Sequence, residues 1–450
     1  MGLTGIQIFQ MLPKTNCKEC GVPTCLAFAM KLAAGQAELS ACPYVSDEAK
    51  QKLAAESAPP IRTVEVGTGD GAFKVGGETV LFRHEKTFFN PAGLAMLVSD
   101  DEPDDAVDGK LARFNELSFE RVGLTLEPEA VAVRAKSGGK DKFAALVGKV
   151  AEKTKKSIVL VTEDPDLMAA GVEKCKDRKP LLYAATPDNA DAMAKLAKEN
   201  KLPLAAKAGD LEALAGLTDK LAGAGVEDLV IDSGARQIGK ALHDQIRIRE
   251  AAIQKKFRAL GYPTIVPVFE MTDDFLMENN YASLLLAKYA GILMLSDFQG
   301  HNLFNLLLER LNIYTDPQRP MKTEQKIYEI NNPGPDSPIL CTTNFSLTYF
   351  IVSGEIENSR VPSYLAVLDT EGLSVLTAWS AGKFVGDLLG EFINKTGIKD
   401  KLEKRRIVIP GYAAVIQGDL EEEVGSDWEV MVGPREASAI PAYMKEHFAK

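Results

Sequence analysis

Four of the six cysteines fall between Cys17 and Cys42, in the arrangement Cys17-x2-Cys20-x4-Cys25-x16-Cys42-Pro43. A chain of 450 residues can bury large apolar cores without covalent staples, so a cysteine cluster confined to one end is not a disulfide scaffold. It reads as a metal site. Thiolates suit iron-sulfur clusters, zinc and copper(I) alike, and spacing has to decide between them. Structural zinc takes two well-separated ligand pairs, each on its own turn. Here three thiols crowd around Gly21 and Pro23, and the fourth precedes a proline. One loop wrapping three corners of a cubane, closed by Cys42-Pro43, suits a 4Fe-4S cluster held by Cys17, Cys20, Cys25 and Cys42. Zinc and unligated thiols are the competing readings. Cys175 and Cys341 stand alone and are expected to be small buried residues.

The length predicts two or three domains. Residues 1–60 form one unit: an amphipathic stretch at 5–12, the cysteine loop, and helical patterns over 25–39 and 46–56. Pro59-Pro60 then stops the helix and stiffens the linker. Residues 63–80 alternate apolar and polar around five glycines, the pattern of a small hairpin joining domains. Short apolar runs separated by helical text follow, at 80–82, 94–98, 122–126, 158–161, 181–184, 202–205, 229–231, 265–269 and 292–295. Their number favours a (β/α)8 TIM-like barrel over an open doubly wound sheet. Barrel sites lie at carboxyl ends of strands, where Asp232, Glu270 and Asp297 are candidates for polar roles.

Proline-rich text at 315–320 and 331–335 marks a further break. Strand patterns at 339–341, 364–368, 406–409 and 428–432, with helical patterns at 345–353, 380–394 and 437–448, predict a Rossmann-like α/β domain with a parallel sheet. Its ligand site is expected at the carboxyl ends of the strands. The expected organisation is therefore α/β and multidomain: residues 1–60 the cluster domain, 61–320 the hairpin and barrel, and 321–450 the terminal α/β domain.

The net charge of -11 repels phosphate backbones and anionic lipid, so neither nucleic acid nor a membrane surface is an expected partner. Met1 to Gln10 is too short and polar for a secretory signal, and a cytoplasmic protein is expected. No P-loop, no GxGxxG between strand and helix and no GxSxG elbow occurs. The four histidines show no ligand spacing and are expected to be structural.

Several stretches carry a resemblance. Beside the cysteine pattern they are the text from Phe82 to Phe88, from Thr342 to Phe350, from Asp369 to Trp379, and from Gly433 to Ala437. Together they resemble, over essentially the whole chain, the large-subunit family of the corrinoid iron-sulfur protein of the reductive acetyl-CoA (Wood-Ljungdahl) pathway. The resemblance implies a methyl-group carrier, a cofactor-bearing subunit more than a complete enzyme. In that family a cobalt corrinoid accepts methyl from methyltetrahydrofolate by way of a methyltransferase and donates it to acetyl-CoA synthase/CO dehydrogenase. The 4Fe-4S cluster returns Co(II) to Co(I), with electrons from a donor such as ferredoxin. It further implies a heterodimer with a small subunit, the corrinoid lying between that subunit and the C-terminal domain; the barrel is expected to be a scaffold that docks the small subunit.

No Asp-x-His-x-x-Gly motif is present, so a base-off corrinoid without a protein histidine ligand is expected. Hydroxyls of Thr342, Thr343 and Thr348 are candidates to bond corrin amides or the nucleotide tail. Gly372, Leu373, Ser374, Val375 and Thr377 form the loop expected to meet the macrocycle. Amides of Gly433, Pro434, Arg435, Glu436 and Ala437, at the turn into the last helix, are candidates for a phosphate or amide oxygen. Ordinary turn chemistry explains any one of these loops equally well. Two other function classes compete: a 4Fe-4S electron-transfer protein with a flavin- or nucleotide-binding C-terminal domain, and a zinc-stabilised barrel enzyme with its own substrate.

Overall fold

The computed structural model describes residues 5–33, 37, 39–46, 49, 59–121, 124–316 and 319–449. Contacts divide the chain into two compact units. One comprises Met1–Phe82, Phe88–Leu117 and Pro128–Arg310; the other comprises Arg83–Thr87, Ser118–Glu127 and Leu311–Lys450.

The cysteine module starts with a helix, Gly5–Met11, packed on a second, Cys25–Ala33. Ile8, Leu12, Phe28, Ala29 and Val45 form its small core together with Cys25 and Cys42. The helix expected over 25–39 ends at Ala33, and a 3-10 turn occupies Leu39–Ala41. The helix expected over 46–56 lies outside the described residues, apart from Ser46 and Ala49.

Strands β1 (Val64–Val66) and β2 (Phe73–Val75) make the expected hairpin. It does more than join domains. Val64, Val66, Val75 and Phe73 belong to the same core as the barrel interior. Ser157 Oγ donates to the carbonyls of Val66 (3.1 Å) and Gly71 (2.7 Å). A Cβ on Gly93 would lie 2.4 Å from the Phe73 ring, so glycine there lets the ring close the amino end of the barrel.

The barrel begins with β3 (Gly93–Ser99). A two-stranded ribbon of β4 (Phe119–Arg121) and β5 (Leu124–Leu126) interrupts it in sequence and belongs to the second unit. Then come β6 (Ala130–Arg134), β7 (Ser157–Val161), β8 (Leu181–Ala185), β9 (Leu204–Lys207), β10 (Leu229–Asp232), β11 (Ile265–Pro267) and β12 (Ile292–Leu295). All pair in parallel in the order β10-β9-β8-β7-β6-β3-β12-β11. An isolated parallel bridge, Ile231 to Thr264, brings the two ends together, so the barrel is nearly closed. Strands buried on both faces read as continuous apolar runs, which is why β3, β7, β8, β10 and β12 stand out in the sequence.

Two expectations fail here. Residues 80–82 form no strand, and 124–126 pairs in the ribbon. The strand that fills the gap is β6, whose Ala-Val alternation is short and follows Pro128-Glu129. The covering helices are amphipathic; Lys140–Lys153 buries Phe143, Leu146, Val147 and Val150 at helical spacing. Asp164 and Asp210 cap the helices Pro165–Cys175 and Leu211–Gly223, each carboxylate accepting two backbone N–H groups.

In the second unit, β13 (Lys326–Ile330), β14 (Ile339–Thr343), β15 (Ser363–Leu368), β16 (Arg406–Ile409) and β17 (Glu429–Val432) form one sheet in the order β13-β15-β14-β16-β17. It is not wholly parallel as expected: β13 joins β15 antiparallel at the edge. Helices Ser346–Ser359 and Ile440–Phe448 pack together on one face, with Leu340, Leu365, Val367 and Val408 beneath. Gly386–Lys395 and Gln417–Val424 pack on the other, over Ile339, Cys341, Ala366 and Ile407. Among the described residues no helix is long and apolar enough to cross a membrane.

Candidate functional site

The thiols share one module. Cys25 opens its helix, where Thr24 caps the first turn by accepting the Ala27 N–H at 3.1 Å. The loop before it turns on left-handed residues, Lys14, Asn16, Lys18 and Gly21. One of its amides reaches a thiol, Asn16 N–H donating to Cys25 Sγ at 3.4 Å, while Asn16 Oδ1 accepts from Cys25 N–H at 2.8 Å. Cys42 donates its N–H to Leu39 at 3.1 Å and is buried with Cys25; Cys20 is half-buried and Cys17 exposed. Tyr44 donates to Glu19 at 2.8 Å, and that bond, Glu19's charge and the nearby Cys17 and Cys42 hold its phenol above the usual range. Among the described residues no three His, Cys, Asp or Glu side chains converge as metal ligands do. The donor set itself, four thiols in one module with the Asn16 amide on the sulfur of Cys25, fits a thiolate-held cluster.

In the second unit the parallel strands run β15-β14-β16-β17, so the chain reverses direction between β14 and β16. A crevice opens at the carboxyl ends of two strands where such a reversal occurs. A cavity of about 160 Å³ lies there. Of the residues singled out from sequence, Thr342, Thr348, Val375, Gly433, Pro434, Arg435 and Ala437 line it. Thr343, Gly372, Leu373, Ser374, Thr377 and Glu436 do not. Gly372 instead forms a left-handed turn (φ +79°) whose missing Cβ would lie 3.1 Å from the Pro320 carbonyl. Leu373 packs toward the core. Ser374 and Thr377 share a hydroxyl contact of 3.1 Å, and Glu436 accepts from Tyr412 OH at 3.1 Å.

Two properties of the crevice ask for a ligand. The hydroxyl of Thr342, which lines the cavity and is 1% exposed, is buried with no hydrogen-bond partner, as are the nearby hydroxyls of Thr343 and Ser346 behind the lining. Leu347, Ile351, Leu376, Trp379, Tyr412 and Val415 are large apolar side chains left exposed on this unit. Sequence reasoning missed Leu376, Tyr412 and Gly411. A Cβ on Gly411 would lie 2.6 Å from Gly433 O and 2.8 Å from Arg435 N, so glycine lets the loops after β16 and β17 touch. Cys341 also lines the cavity; burial pushes its thiol well up, as it does Cys175 to about 12. The lining includes no histidine.

Asp232, Glu270 and Asp297 do lie at the carboxyl ends of barrel strands, and each is already partnered. Asp232 accepts from Tyr183 OH (2.6 Å), Gly234 N–H (2.8 Å) and Arg236 (2.9 Å), while Arg236 Nε donates to Glu270 at 2.5 Å. Burial, reinforced by the charge of Asp232, keeps the Tyr183 phenol protonated. Arg113 Nη2 donates to both carboxylate oxygens of Asp297, at 2.6 and 2.8 Å, while its Nε donates to Phe298 O at 2.8 Å.

A family model described as CO dehydrogenase/acetyl-CoA synthase delta subunit matches residues 63–444, and one described as a putative Fe-S cluster matches residues 12–44. The chain is similar to the corrinoid/iron-sulfur protein large subunit of Moorella thermoacetica, 46% identical over 451 residues and covering 100% of each. It is 38% identical to the acetyl-CoA decarbonylase/synthase complex subunit gamma of Methanopyrus kandleri, over 99% of this chain and 98% of that one. Among solved structures it is similar to 7,8-dihydropteroate synthase from Vibrio fischeri ES114, with a TM-score of 0.38 and 13% identity over 53% of this chain and 100% of that one.

Proposed function

The chain belongs to the family of the corrinoid/iron-sulfur protein large subunit and the acetyl-CoA decarbonylase/synthase gamma subunits, and from that membership we propose that it is a methyl carrier of the acetyl-CoA pathway, the cofactor-bearing subunit of a larger assembly. The observation that carries this reading in the structure is the crevice at the β14/β16 reversal, where three separate segments meet beside the unpartnered hydroxyl of Thr342. When bound, a corrinoid supplies a nucleophilic cobalt able to take a methyl group from methyltetrahydrofolate and release it to acetyl-CoA synthase. A 4Fe-4S cluster supplies the single electron that restores the cobalt after accidental oxidation.

This chain's own residues then have definable tasks. Cys17, Cys20, Cys25 and Cys42 would hold the cluster, with the Asn16 amide turned toward the sulfur of Cys25. Thr342 and Thr348 would give hydroxyl bonds to amide or phosphate groups of the corrinoid. The walls of the cavity are mostly apolar, which suits a flat aromatic group. We therefore assign it to the detached lower base, in keeping with a base-off corrinoid and with the lack of a lining histidine. Gly433, Pro434, Arg435 and Ala437 shape one wall, and Arg435 is the cation available to a phosphate there. Glu436 and Tyr412 bond each other beside it, which fixes that turn.

The exposed apolar side chains Leu376, Trp379 and Tyr412 suit the corrin face and the small subunit of a heterodimer. The methyltransferase, acetyl-CoA synthase/CO dehydrogenase and a low-potential electron donor are the further partners. At the barrel mouth Asp232, Glu270, Asp297 and their arginines satisfy one another, which favours a docking scaffold over a second active site. The alternative, an electron-transfer protein with a flavin or nucleotide, is not favoured by the relatives.

The test is methyl uptake. The chain and its small subunit, reduced anaerobically and given methyltetrahydrofolate with the methyltransferase, are expected to take up about one methyl group per cobalt. Iron-dependent electron transfer without methyl uptake would favour the alternative.

A further inference from the structure

We propose that Asn344 is the positioning residue that sets the loop from Thr370 to Ser374, which leads through Gly372, Leu373 and Ser374 into the segment expected to meet the corrinoid; the inference rests on the methyl-carrier reading. Asn344 follows the last residue of β14 and is 1% exposed. Its side-chain oxygen accepts from two backbone amides, Thr370 N–H and Gly372 N–H, both at 3.0 Å. Its side-chain nitrogen donates to Asp369 Oδ1 at 2.7 Å, and the same carboxylate oxygen accepts Glu371 N–H at 2.9 Å. Its backbone joins both neighbours as well: Asn344 N–H donates to Leu368 O (2.9 Å), and Thr323 N–H donates to Asn344 O (2.8 Å).

The loop needs such a clamp. Glu371 (φ +58°) and Gly372 (φ +79°) are both left-handed, a costly conformation for the glutamate. Their N–H groups point inward and find acceptors in Asp369 and Asn344. Immediately downstream, Ser374 precedes the helix Val375–Ser380, whose Val375 and Leu376 line the cavity. A shift at Gly372 therefore moves the wall that Val375 and Leu376 form. A primary amide is the group that accepts and donates from the same short stem; alanine does neither, and a carboxylate only accepts.

Asn344→Asp is the informative change, because a protonated carboxyl copies the amide and an ionised one does not. The groups around it are Asp369, Lys322 (3.7 Å from Asp369), Glu371 and Lys383, which pairs with Glu371. In the native protein Asp369, despite partial desolvation, is held below the usual carboxylate range by the Glu371 N–H and the Asn344 amide. Substitution puts two carboxyls where one amide donated to one carboxylate, so one proton is shared and its pKa lies above the ordinary Asp value of about 4. Below that pKa the clamp is whole; above it the two charges repel.

The experiment uses the full chain with its small subunit, aquacobalamin as the probe, and amide hydrogen exchange of residues 370–373 recorded in parallel. The expected result is native-like corrinoid affinity for N344D at mildly acidic pH, falling about 10- to 100-fold as pH rises, against a flat native profile. Exchange at Thr370 and Gly372 should speed up over the same pH range even without corrinoid. Exchange and affinity both matching the native protein at every pH would overturn the proposal. Normal affinity despite fast exchange would overturn it too, since the clamp would not serve the site. Failure of the native protein to take up corrinoid would instead sink the carrier reading, with the exchange data still judging the clamp.

Discussion

Cys42→Ala is expected to strip most of the iron from the N-terminal module, from about four per chain to less than about one, and to leave corrinoid uptake unchanged. Cys42 is 4% exposed and sits in the module core with Cys25, Ile8 and Phe28, its N–H fixed by Leu39. The other three thiols come from a single loop and helix start, so Cys42 alone brings the far side of the module to the cluster. Alanine keeps the small apolar volume there, and the helices Gly5–Met11 and Cys25–Ala33 retain their packing. The corrinoid residues belong to a different compact unit. Iron analysis, the spectrum of the reduced cluster and corrinoid titration check this together. Cobalt that binds but can no longer be reactivated by a low-potential donor is the functional consequence. Full iron retention would mean Cys42 is not a ligand; loss of corrinoid would mean the two cofactor sites are not independent.

Gly411→Val should weaken corrinoid binding by about 1–3 kcal/mol, roughly 5- to 150-fold. The atoms a new Cβ would meet are all backbone: Gly433 O at 2.6 Å, and Arg435 N and Pro434 C at 2.8 Å. Backbone cannot rotate aside like a flexible side chain, so the turn after β17 has to move away from β16. That turn supplies Gly433, Pro434 and Arg435 to the cavity. Gly418→Ala is the matched control, since its added Cβ meets nothing within 4 Å and lies in the helix Gln417–Val424. Corrinoid titration of both variants, with iron content to verify the rest of the chain, decides the matter. Equal affinity in the two variants would remove the Gly433–Ala437 turn from the site.

Much of this was legible in the sequence because the relevant signals are local. Barrel strands buried on both faces, such as Leu181–Ala185 and Ile292–Leu295, announce themselves as unbroken apolar runs. Thr342, Thr348, Val375 and the Gly433 turn could be placed at strand ends, and a reversal of strand order brings strand ends together whatever the loops contain. What escaped depends on distant partners. Ala130–Arg134 is a short alternating segment that becomes a barrel strand only by pairing with β3 and β7. Lys326–Ile330 is a half-exposed edge that takes its place from β15. Gly411 matters through its approach to Pro434, and Asn344 through amides more than twenty residues away. No pattern in the neighbouring sequence marks either. The sequence places Gly372 in the loop expected to meet the macrocycle, and the structure adds that its missing Cβ faces Pro320 and its N–H is taken by Asn344. Its contribution is then to the shape of the loop.

Cobalt and iron per chain, measured on anaerobically purified native protein with its small subunit, bear most directly on the carrier assignment. About one cobalt and about four irons per chain are expected, one corrinoid beside one 4Fe-4S cluster. Four irons with no cobalt, and no uptake of added corrinoid, would contradict it and leave an electron-transfer protein in its place.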